Sequence, residues 1–474
     1  MLVVYLLTLN PWVSANNLRQ VSEVSGWGFQ ARVFGPVNFL ITYPFHWLSP
    51  KMLPLALNAL TAVFAALTLG LLARSVALLP HDRTHEQRQR EQSEFSLLTI
   101  RMAWIPPLLA VLICGLQISF WENSIEITGL SGEMLDLLIF AYCVRCLLEY
   151  RIDRRESWLV RFALVYGAGM ANSWGMIAFF PAFLAALIWI KGISFFNLRF
   201  MLRTMAFGLA GLSLILLLPI VANISHTATF GQVFRTVLST DKFVLFNYIP
   251  REVLLLLGLT SLLPILVIGI NWSSFFGDTS QLGIVLATIV FHIVHALLLL
   301  ACIWVALDPP FSPRQRGQMV YNIPFLAMYY LGALSVGYFA GYFLLIFGEK
   351  VIKSRKPLPP AMRLLNVAAT VSVWILLVTV PALLVYKNLP QILKNRSADF
   401  AKYYTLLEQN LPSQGGVVLS DDANRLLLLE AHLNKIGKSK DYLLINTVLL
   451  PEDPRYLKFL DQKYPQYKIG SVIT

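Results

Sequence analysis

The stretch FWENSIEITGLSGEMLD, residues 120–136, lies between two long apolar runs at residues 105–118 and 134–148. It places four carboxylates within 15 residues, at the edge of segments that would otherwise face lipid. Ionisable side chains in such positions are costly unless they are paired or take part in function. The rest of the chain is interpreted around this acidic stretch.

The four acids form two pairs. Helical spacing places Glu122 and Glu126 on one face, and Glu133 and Asp136 on another. Small residues between the pairs interrupt that helix, so we expect the acids to line a re-entrant or interfacial turn. The alternative is capping, in which Glu133 lies at the positive end of the next helix dipole. Capping does not account for Glu126.

The composition predicts an all-α polytopic membrane protein. Hydrophobic residues make up 57% of the 474 positions, charged residues make up 14%, and the mean hydropathy is +0.63. A soluble chain has roughly 45–50% apolar and about 25% charged residues. The net charge of +12 does not indicate nucleic-acid binding, because most Lys and Arg lie in short loops between apolar runs.

The sequence indicates no cofactor. It contains no Gly-rich phosphate-binding loop, and its four cysteines all lie in apolar helical runs. Cys143 and Cys146 have CxxC spacing, but on a helix this places two small hydrophobic side chains on one face. The participation of a divalent metal ion stays open.

Three parts are predicted along the chain: an N-terminal stub with an amphipathic external loop (residues 1–52), a transmembrane helical bundle (53–387), and a small extracytoplasmic α/β segment (388–474), interpreted as incomplete. The first nine residues are apolar, but a helix of that length spans only about 13 Å of the roughly 30 Å hydrocarbon core. We therefore expect a fragment that is short at its N-terminus. Residues 11–51, the first loop, are rich in aromatic residues, which is typical of a loop on the membrane surface.

The bundle is predicted to contain about ten full spans. Residues 159–190 are too long for one straight span and are interpreted as two short helices that turn at residues 171–174. With this hairpin, the short loops on one side, including the charged loop at residues 81–94, carry 17 Lys and Arg, and the opposite segments carry 8. The positive-inside rule places the basic loops in the cytoplasm. The other spans are predicted at residues 53–79, 105–118, 134–148, 204–221, 253–270, 283–306, 323–347 and 364–385.

This topology brings the polar segments together on the non-cytoplasmic side. They are the first loop, the acidic stretch, the turn at Asn172, the loop at residues 222–251 and the C-terminal segment. In the C-terminal segment we predict strands at residues 416–420 and 442–446 and helices at 423–435 and 453–463. Ser420-Asp421-Asp422, at a strand end, is interpreted as a cap of the next helix, with a metal site as the alternative.

His292 and His295 lie near the middle of a predicted span. Imidazoles at bilayer depth mark either a proton or ion route or hydrogen bonds between helices.

Several ordered motifs in residues 11–221 resemble a known family. Phe120-Trp121 is followed by Glu126, and GAGMAN (residues 167–172) leads to FFP (residues 179–181). This order is similar to that of a bacterial polytopic family related to the eukaryotic transmembrane O-mannosyltransferases, which are GT-C-type glycosyltransferases. The chain departs from the family pattern where Asp-x-Gly-Glu is replaced by QVSE (residues 20–23), and where Asn-His-His is replaced by Asn-Ser-Trp after Ala171.

The resemblance implies transfer of a sugar such as mannose from a polyprenyl-phosphate donor to an extracytoplasmic protein or glycan acceptor. It also implies a multi-pass protein of the bacterial cytoplasmic (inner) membrane, in contact with membrane lipid. Glu23 occupies the family's acidic position and Glu126 is the better-supported acid, so these two are the expected catalytic carboxylates. The expected substrate-binding residues are Glu122, Asn172, Arg19, Arg32 and Arg251, with the arginines facing the lipid phosphate.

Two other classes of function stay open. A transporter or flippase for lipid-linked substrates is favoured by the intramembrane histidines and the broken helices, although no inverted repeat is apparent. A catalytically silent membrane scaffold of the same fold is favoured by the altered first-loop motif.

Overall fold

The computed structural model describes residues 1–29, 32–79, 102–225, 227–269, 281–318, 322–348, 360–395, 398–465 and 467. The predicted charged loop at residues 81–94 lies outside the described residues, as do most of the loop residues at 271–280 and 349–359. The placement of these basic loops on one side of the membrane therefore stays a prediction.

Helices dominate the described chain, and the strands are confined to its C-terminal part. The α-helices are α1 Leu2–Thr8, α2 Leu18–Ser25, α3 Pro36–Thr42, α4 Leu53–Leu78, α5 Ile105–Leu116, α6 Ile118–Ile125, α7 Glu133–Asp153, α8 Glu156–Asn172, α9 Trp174–Ala178, α10 Phe180–Lys191, α11 Leu198–Leu212, α12 Leu217–Ile224, α13 Phe230–Phe243, α14 Arg251–Leu257, α15 Leu263–Gly269, α16 Gln281–Ala306, α17 Leu326–Phe343, α18 Pro360–Asn395, α19 Ala398–Gln409, α20 Ala423–Ile436, α21 Leu449–Glu452 and α22 Pro454–Lys463. The strands are β1 Gly416–Ser420 and β2 Tyr442–Asn446. Short 3₁₀ or π turns occupy Tyr43–Trp47, Gly192–Phe196, Ser213–Leu216, Val244–Tyr248, Gly258–Leu262, Arg314–Gln318 and Leu344–Gly348.

Six helical segments of the described chain are long and apolar enough to cross a membrane. They are Leu53–Leu78, Leu198–Ile224, Arg251–Gly269, Ile289–Ala306, Leu326–Phe347 and Arg363–Lys394. The pair α5 and α6 gives a seventh if it is counted as one bent span. The protein is thus a helical, multi-pass membrane protein by length and composition, and the ten predicted spans stay a prediction.

The acidic stretch begins in a broken helix. The chain is extended at Gln117, and α6 leaves α5 at an angle of 69°. A helix break exposes backbone groups that need new partners. Asn388 supplies one, because its Nδ2 donates to the Leu116 carbonyl at 2.8 Å. The bend buries Trp121 in the core, where its Nε1 donates to Thr8 Oγ1 at 3.0 Å.

The predicted hairpin at residues 159–190 is confirmed. Helix α8 ends at Asn172, and Ser173 is extended with φ −148° and ψ 136°. Helices α9 and α10 then return towards the start of α8. At the open end of the hairpin, opposite this turn, Lys191 Nζ lies 3.2 Å from Glu156 Oε1.

Helices α8 and α11 cross in backbone contact, which fixes one side of the hairpin. A Cβ on Gly167 would lie 2.0 Å from the carbonyl oxygen of Gly208, and a Cβ on Gly211 would lie 2.1 Å from that of Leu164. No side chain fits at these distances. Small residues allow this close approach of helices in membranes, where packing rather than hydrophobicity drives association.

The four predicted C-terminal elements match the structure to within one residue, whereas α19 and α21 were not predicted. Strands β1 and β2 pair in parallel with Gly416 opposite Tyr442, and β2 is buried along its whole length. Asp422 caps α20 by accepting hydrogen bonds from the backbone N–H groups of Asn424 and Arg425. The capping interpretation is therefore confirmed.

The C-terminal segment packs against the first loop. Tyr404 Oη donates to the Val13 carbonyl at 3.1 Å, and Lys463 Nζ donates to the Trp27 carbonyl at 2.7 Å. The ring of Phe29 meets that of Tyr456 edge-on at 5.3 Å. The two segments therefore share one end of the molecule, as the predicted topology requires.

His292 is hydrogen-bonded across helices: its Nδ1 lies 2.8 Å from Tyr342 Oη. His295 Nδ1 bonds to the carbonyl of Phe291 within its own helix at 2.8 Å. The contact of His292 supports the interpretation as hydrogen bonding between helices.

Candidate functional site

A cavity of about 540 Å³ lies between the first loop and the acidic stretch. Its walls come from segments far apart in sequence that the fold brings to one end of the bundle. They are the first loop, the acidic stretch, the α8–α9 turn, the region around α12, the end of α13 with the turn after it, and residues 322–324. The cavity is large enough for a small ligand or for part of a larger one.

Glu126 lies on the cavity wall in a network of neutral donors. Its side chain is 8% exposed, and α6 ends just before it. Asn10 Nδ2 and Ser14 Oγ donate to Glu126 Oε2 at 2.8 and 2.7 Å. Asn16 Nδ2 donates to Oε1 at 2.7 Å. A buried carboxylate needs such partners, and these three tie the start of the first loop to the acidic stretch.

Asn58 of α4 forms hydrogen bonds to both of the segments that meet at Glu126. Its Nδ2 donates to the Asn10 carbonyl at 2.8 Å, and its Oδ1 accepts from the Ile127 backbone N–H at 3.0 Å. The sequence analysis did not identify these amides. The signal that could have revealed them is the polar run Asn10, Ser14, Asn16 and Asn17 directly after an apolar stub.

Asn172 joins three segments of the cavity wall. Its Oδ1 accepts from the backbone N–H groups of Val37 and Asn38, at 2.9 and 3.1 Å, in the first turn of α3. Its Nδ2 donates to Asp136 Oδ1 at 2.6 Å and to the Ser131 carbonyl at 3.2 Å. An asparagine side chain offers two donors and two acceptor sites. All four of these form hydrogen bonds, so Asn172 connects the start of α3, the acidic stretch and α7 at the cavity wall.

A close approach of two loops shapes the same wall. Gly35 has φ +73°, and a Cβ there would lie 2.8 Å from the Cα of Ser131. Only glycine combines this left-handed conformation with so short a distance to backbone. The first loop therefore closes directly onto the turn between Gly129 and Gly132.

Glu133 also lines the cavity, at the first position of α7. Its carboxylate folds back over Gly129, whose missing side chain gives it room: a Cβ there would lie 2.6 Å from Glu133 Oε1. Among the residues that the structure describes, none donates a hydrogen bond to this carboxylate. Its neighbour Asp136 is different, because it accepts from both Ser131 and Asn172.

Glu122 is held by a buried arginine that the sequence analysis had counted only as a loop cation. Arg314 Nη2 lies 3.2 and 3.1 Å from the two carboxylate oxygens of Glu122. Arg314 Nη1 bonds to Asp308 Oδ2 at 3.2 Å, and Asp308 also accepts from the Ser312 hydroxyl. Arg314 is 192 positions from Glu122, so no local pattern indicated the pair.

The first-loop residues are only partly brought to the cavity. Arg19 lines it, and its Nε lies 3.0 Å from Glu23 Oε1. Arg32 lies on the other side of Glu23, with its Nε 3.5 Å from Oε2. Glu23 and Arg32 are not part of the described lining, and neither is Arg251, which begins α14. Of the predicted site residues, those on the cavity wall are Glu126, Glu122, Asn172 and Arg19.

The cavity lining also contains apolar side chains. Those from the region of α12, α13 and the following residues are Leu218, Val237, Val244, Tyr248 and Ile323. Asp241, near the end of α13, is also part of the lining, and burial raises the pKa of its carboxyl to about 6. The cavity therefore offers both polar and apolar surface.

Residues 35–194 match the family model described as the N-terminal domain of the protein O-mannosyl-transferase TMEM260. The matched range is about a third of the chain and contains α3, the acidic stretch and the α8–α10 hairpin. No curated protein matches the chain. The family match supports a relation to O-mannosyltransferases through the part of the chain that carries Glu122, Glu126, Glu133 and Asn172.

Proposed function

We propose that this membrane protein transfers a sugar, such as mannose, from a polyprenyl-phosphate donor to a hydroxyl of a protein or glycan acceptor. The observation that carries the proposal is the match of residues 35–194 to an O-mannosyl-transferase domain. Much of the polar wall of the cavity, including three carboxylates, lies within that range.

The mixed lining of the cavity fits an amphipathic donor. A sugar phosphate needs hydrogen-bonding groups, which Asn10, Asn16 and Glu126 offer. An isoprenyl chain needs an apolar surface, which Leu218, Val237 and neighbouring residues offer.

The chemistry is a displacement at the anomeric carbon. The acceptor oxygen forms a bond to that carbon, the bond from the carbon to the phosphate oxygen breaks, and its electron pair leaves with the lipid phosphate. A carboxylate takes the acceptor's proton, and a cation stabilises the charge on the leaving phosphate. Arg19 is the one cationic side chain among the described lining residues, so we assign it to the phosphate. Glu23 then holds the guanidinium in place.

No step is assigned to a metal ion. Among the described residues, no group of three or more His, Cys, Asp and Glu side chains could hold one. The side chains described at the cavity account for the proton and for the phosphate charge without it.

The test is sugar transfer by the purified protein in lipid nanodiscs. A polyprenyl phosphate carrying radiolabelled mannose is supplied with Ser/Thr-containing peptides and with free glycans, and binding and transfer are measured separately. We expect donor binding and label transfer. Movement of the donor across vesicles without transfer would indicate a flippase, and the absence of donor binding would indicate a scaffold; either would overturn the proposal.

We also propose that the cavity opens on the non-cytoplasmic side, in the inner membrane of a bacterium. Ser413 is exposed at the cavity end, and Arg199 is exposed near the open end of the hairpin, away from the Asn172 turn. The four native cysteines are buried, so Ser413→Cys and Arg199→Cys can each be labelled alone. We expect a membrane-impermeant thiol reagent to label Ser413→Cys from outside and Arg199→Cys only in inverted vesicles. Labelling of both from one side would contradict the topology.

A further inference from the structure

Three carboxylates of the acidic stretch line the cavity, and they differ in what holds them. Glu122 is paired with Arg314. Glu126 accepts hydrogen bonds from Asn10, Ser14 and Asn16. Glu133 has no donor among the described residues. A carboxylate that must gain and release a proton works best when neither event breaks existing bonds.

We infer that Glu133 is the catalytic carboxylate that takes the proton of the acceptor hydroxyl, and that Glu126 is a positioning residue. The inference rests on the proposed function and deepens it, because it assigns the proton of the acceptor hydroxyl to the carboxylate of Glu133. It departs from the sequence-based expectation, in which Glu126 or Glu23 has this role.

The hydrogen bonds of Glu126 argue against a role as the proton acceptor. Two donors point at Oε2 and a third at Oε1, so an acceptor hydroxyl would compete with Asn10, Ser14 or Asn16 for these oxygens. The same bonds hold the start of the first loop against the acidic stretch, so Glu126 serves best as an anchor.

Glu23 is also poorly placed for this role. It lies between Arg19 and Arg32, at 3.0 and 3.5 Å, and is not part of the described cavity lining. Each of its two carboxylate oxygens is engaged by one of these guanidinium groups.

Glu133 is positioned by backbone contacts and not by side-chain hydrogen bonds to its carboxylate. Its N–H donates to the Thr128 carbonyl at 3.1 Å, which closes the turn before α7. One turn further on, Asp136 fixes α7 to Asn172. Gly129 leaves the space into which the carboxylate folds. Glu133 is therefore held at the cavity wall while its oxygens remain available to a ligand.

In the proposed step the acceptor O–H proton moves to a Glu133 oxygen as the acceptor oxygen attacks the anomeric carbon. The bond from that carbon to the phosphate breaks, and the lipid phosphate leaves with the electron pair. Glu133 then releases its proton to water. No oxidant, reductant or further reactant is needed.

The experiment compares Glu133→Gln and Glu133→Asp in the full-length chain in nanodiscs. If Glu133 takes the proton, Gln, which keeps the shape but not the basicity, lowers kcat by about 10²- to 10⁴-fold. Asp keeps the carboxylate with a shorter reach and retains more activity than Gln. A merely structural role reverses this order, because Gln then preserves the packing better than Asp.

Donor binding separates this inference from the proposed function. Glu133→Gln is expected to bind the radiolabelled polyprenyl-phosphate mannose as the wild type does, whereas Glu126→Gln is expected to raise the donor KM because its first loop is less firmly held. Glu156→Gln, an exposed isosteric change at the other end of α8, serves as the control with unchanged kcat.

Glu133→Gln with at least half of the wild-type kcat, or with more activity than Glu133→Asp, would overturn the inference alone. A wild-type protein that neither binds nor transfers would overturn both.

Discussion

The carboxylates of the C-terminal segment and those of the cavity are held differently. In the C-terminal segment, Glu430 lies 2.7 Å from Lys463, and Asp453 lies 2.7 Å from Arg455. Glu408 contacts both His432 and Lys438. In the cavity, neither Glu133 nor Asp241 has a described side-chain donor. Acids that serve folding are paired or capped, and acids left without partners in a cavity are available to a ligand.

Glu408 and Asp241 also differ in the direction in which their pKa values shift. Hydrogen bonds from His432 and Lys438 hold the pKa of Glu408 below its usual range. Burial raises the pKa of Asp241 instead, because nothing described compensates its charge. Three substitutions sharpen the comparison, and they follow from the largest expected effect to the smallest.

Glu126→Gln is expected to have the largest effect. One end of a glutamine side chain is an NH₂ group, which cannot accept from Asn10, Ser14 or Asn16. At least one donor is left unpaired, which costs about 1–3 kcal/mol of stability. We expect transfer to fall by about 100-fold or more while the protein stays folded, as measured by initial rates and by thermal unfolding in detergent. Wild-type transfer by this variant would remove Glu126 from the site.

Asp241→Asn is expected to change the pH dependence of stability. The folded-state pKa of about 6 lies above the usual value of 3.8, so the wild type is most stable at low pH and loses stability as the pH rises through 6. The variant lacks this loss. At pH 7 it should be more stable by about 1 kcal/mol, less than the full shift implies because the side chain is partly exposed.

The measurement for Asp241 is the midpoint of thermal unfolding from pH 4.5 to 8 for both proteins. Parallel curves would show that the Asp241 charge is compensated, which would place it with the paired acids of the C-terminal segment.

Asp422→Ala is expected to have the smallest effect. It removes the N-cap of α20 and costs about 1 kcal/mol. Asp422→Asn, which can still cap, serves as the matched control. Transfer should be unchanged in both, because this acid serves the fold alone. A loss of transfer in Asp422→Ala with wild-type stability would break the distinction between the two sets of acids.

The sequence by itself determined the elements whose signals are local. Four C-terminal elements were predicted to within one residue, and Asp422 and Gly437 lie at the two ends of one of them, α20. Likewise, the length of the apolar run at residues 159–190 and the count of basic loop residues were sufficient to predict the hairpin, and apolar run lengths were sufficient to predict the six candidate spans that the structure describes. Glu126 and Asn172 both line the cavity, and their functional roles stay a prediction.

Only the tertiary structure decided which acids have partners. The donors to Glu126 lie 110 to 116 positions away, and the arginine beside Glu122 lies 192 positions away. No periodicity or motif encodes such pairs, because they form only after helices have packed. The sequence showed four acids at a membrane edge. The packing of the first loop and of the segment after α16 against the acidic stretch determines the partners of these acids. It decides which acid is anchored, which is paired and which is left available.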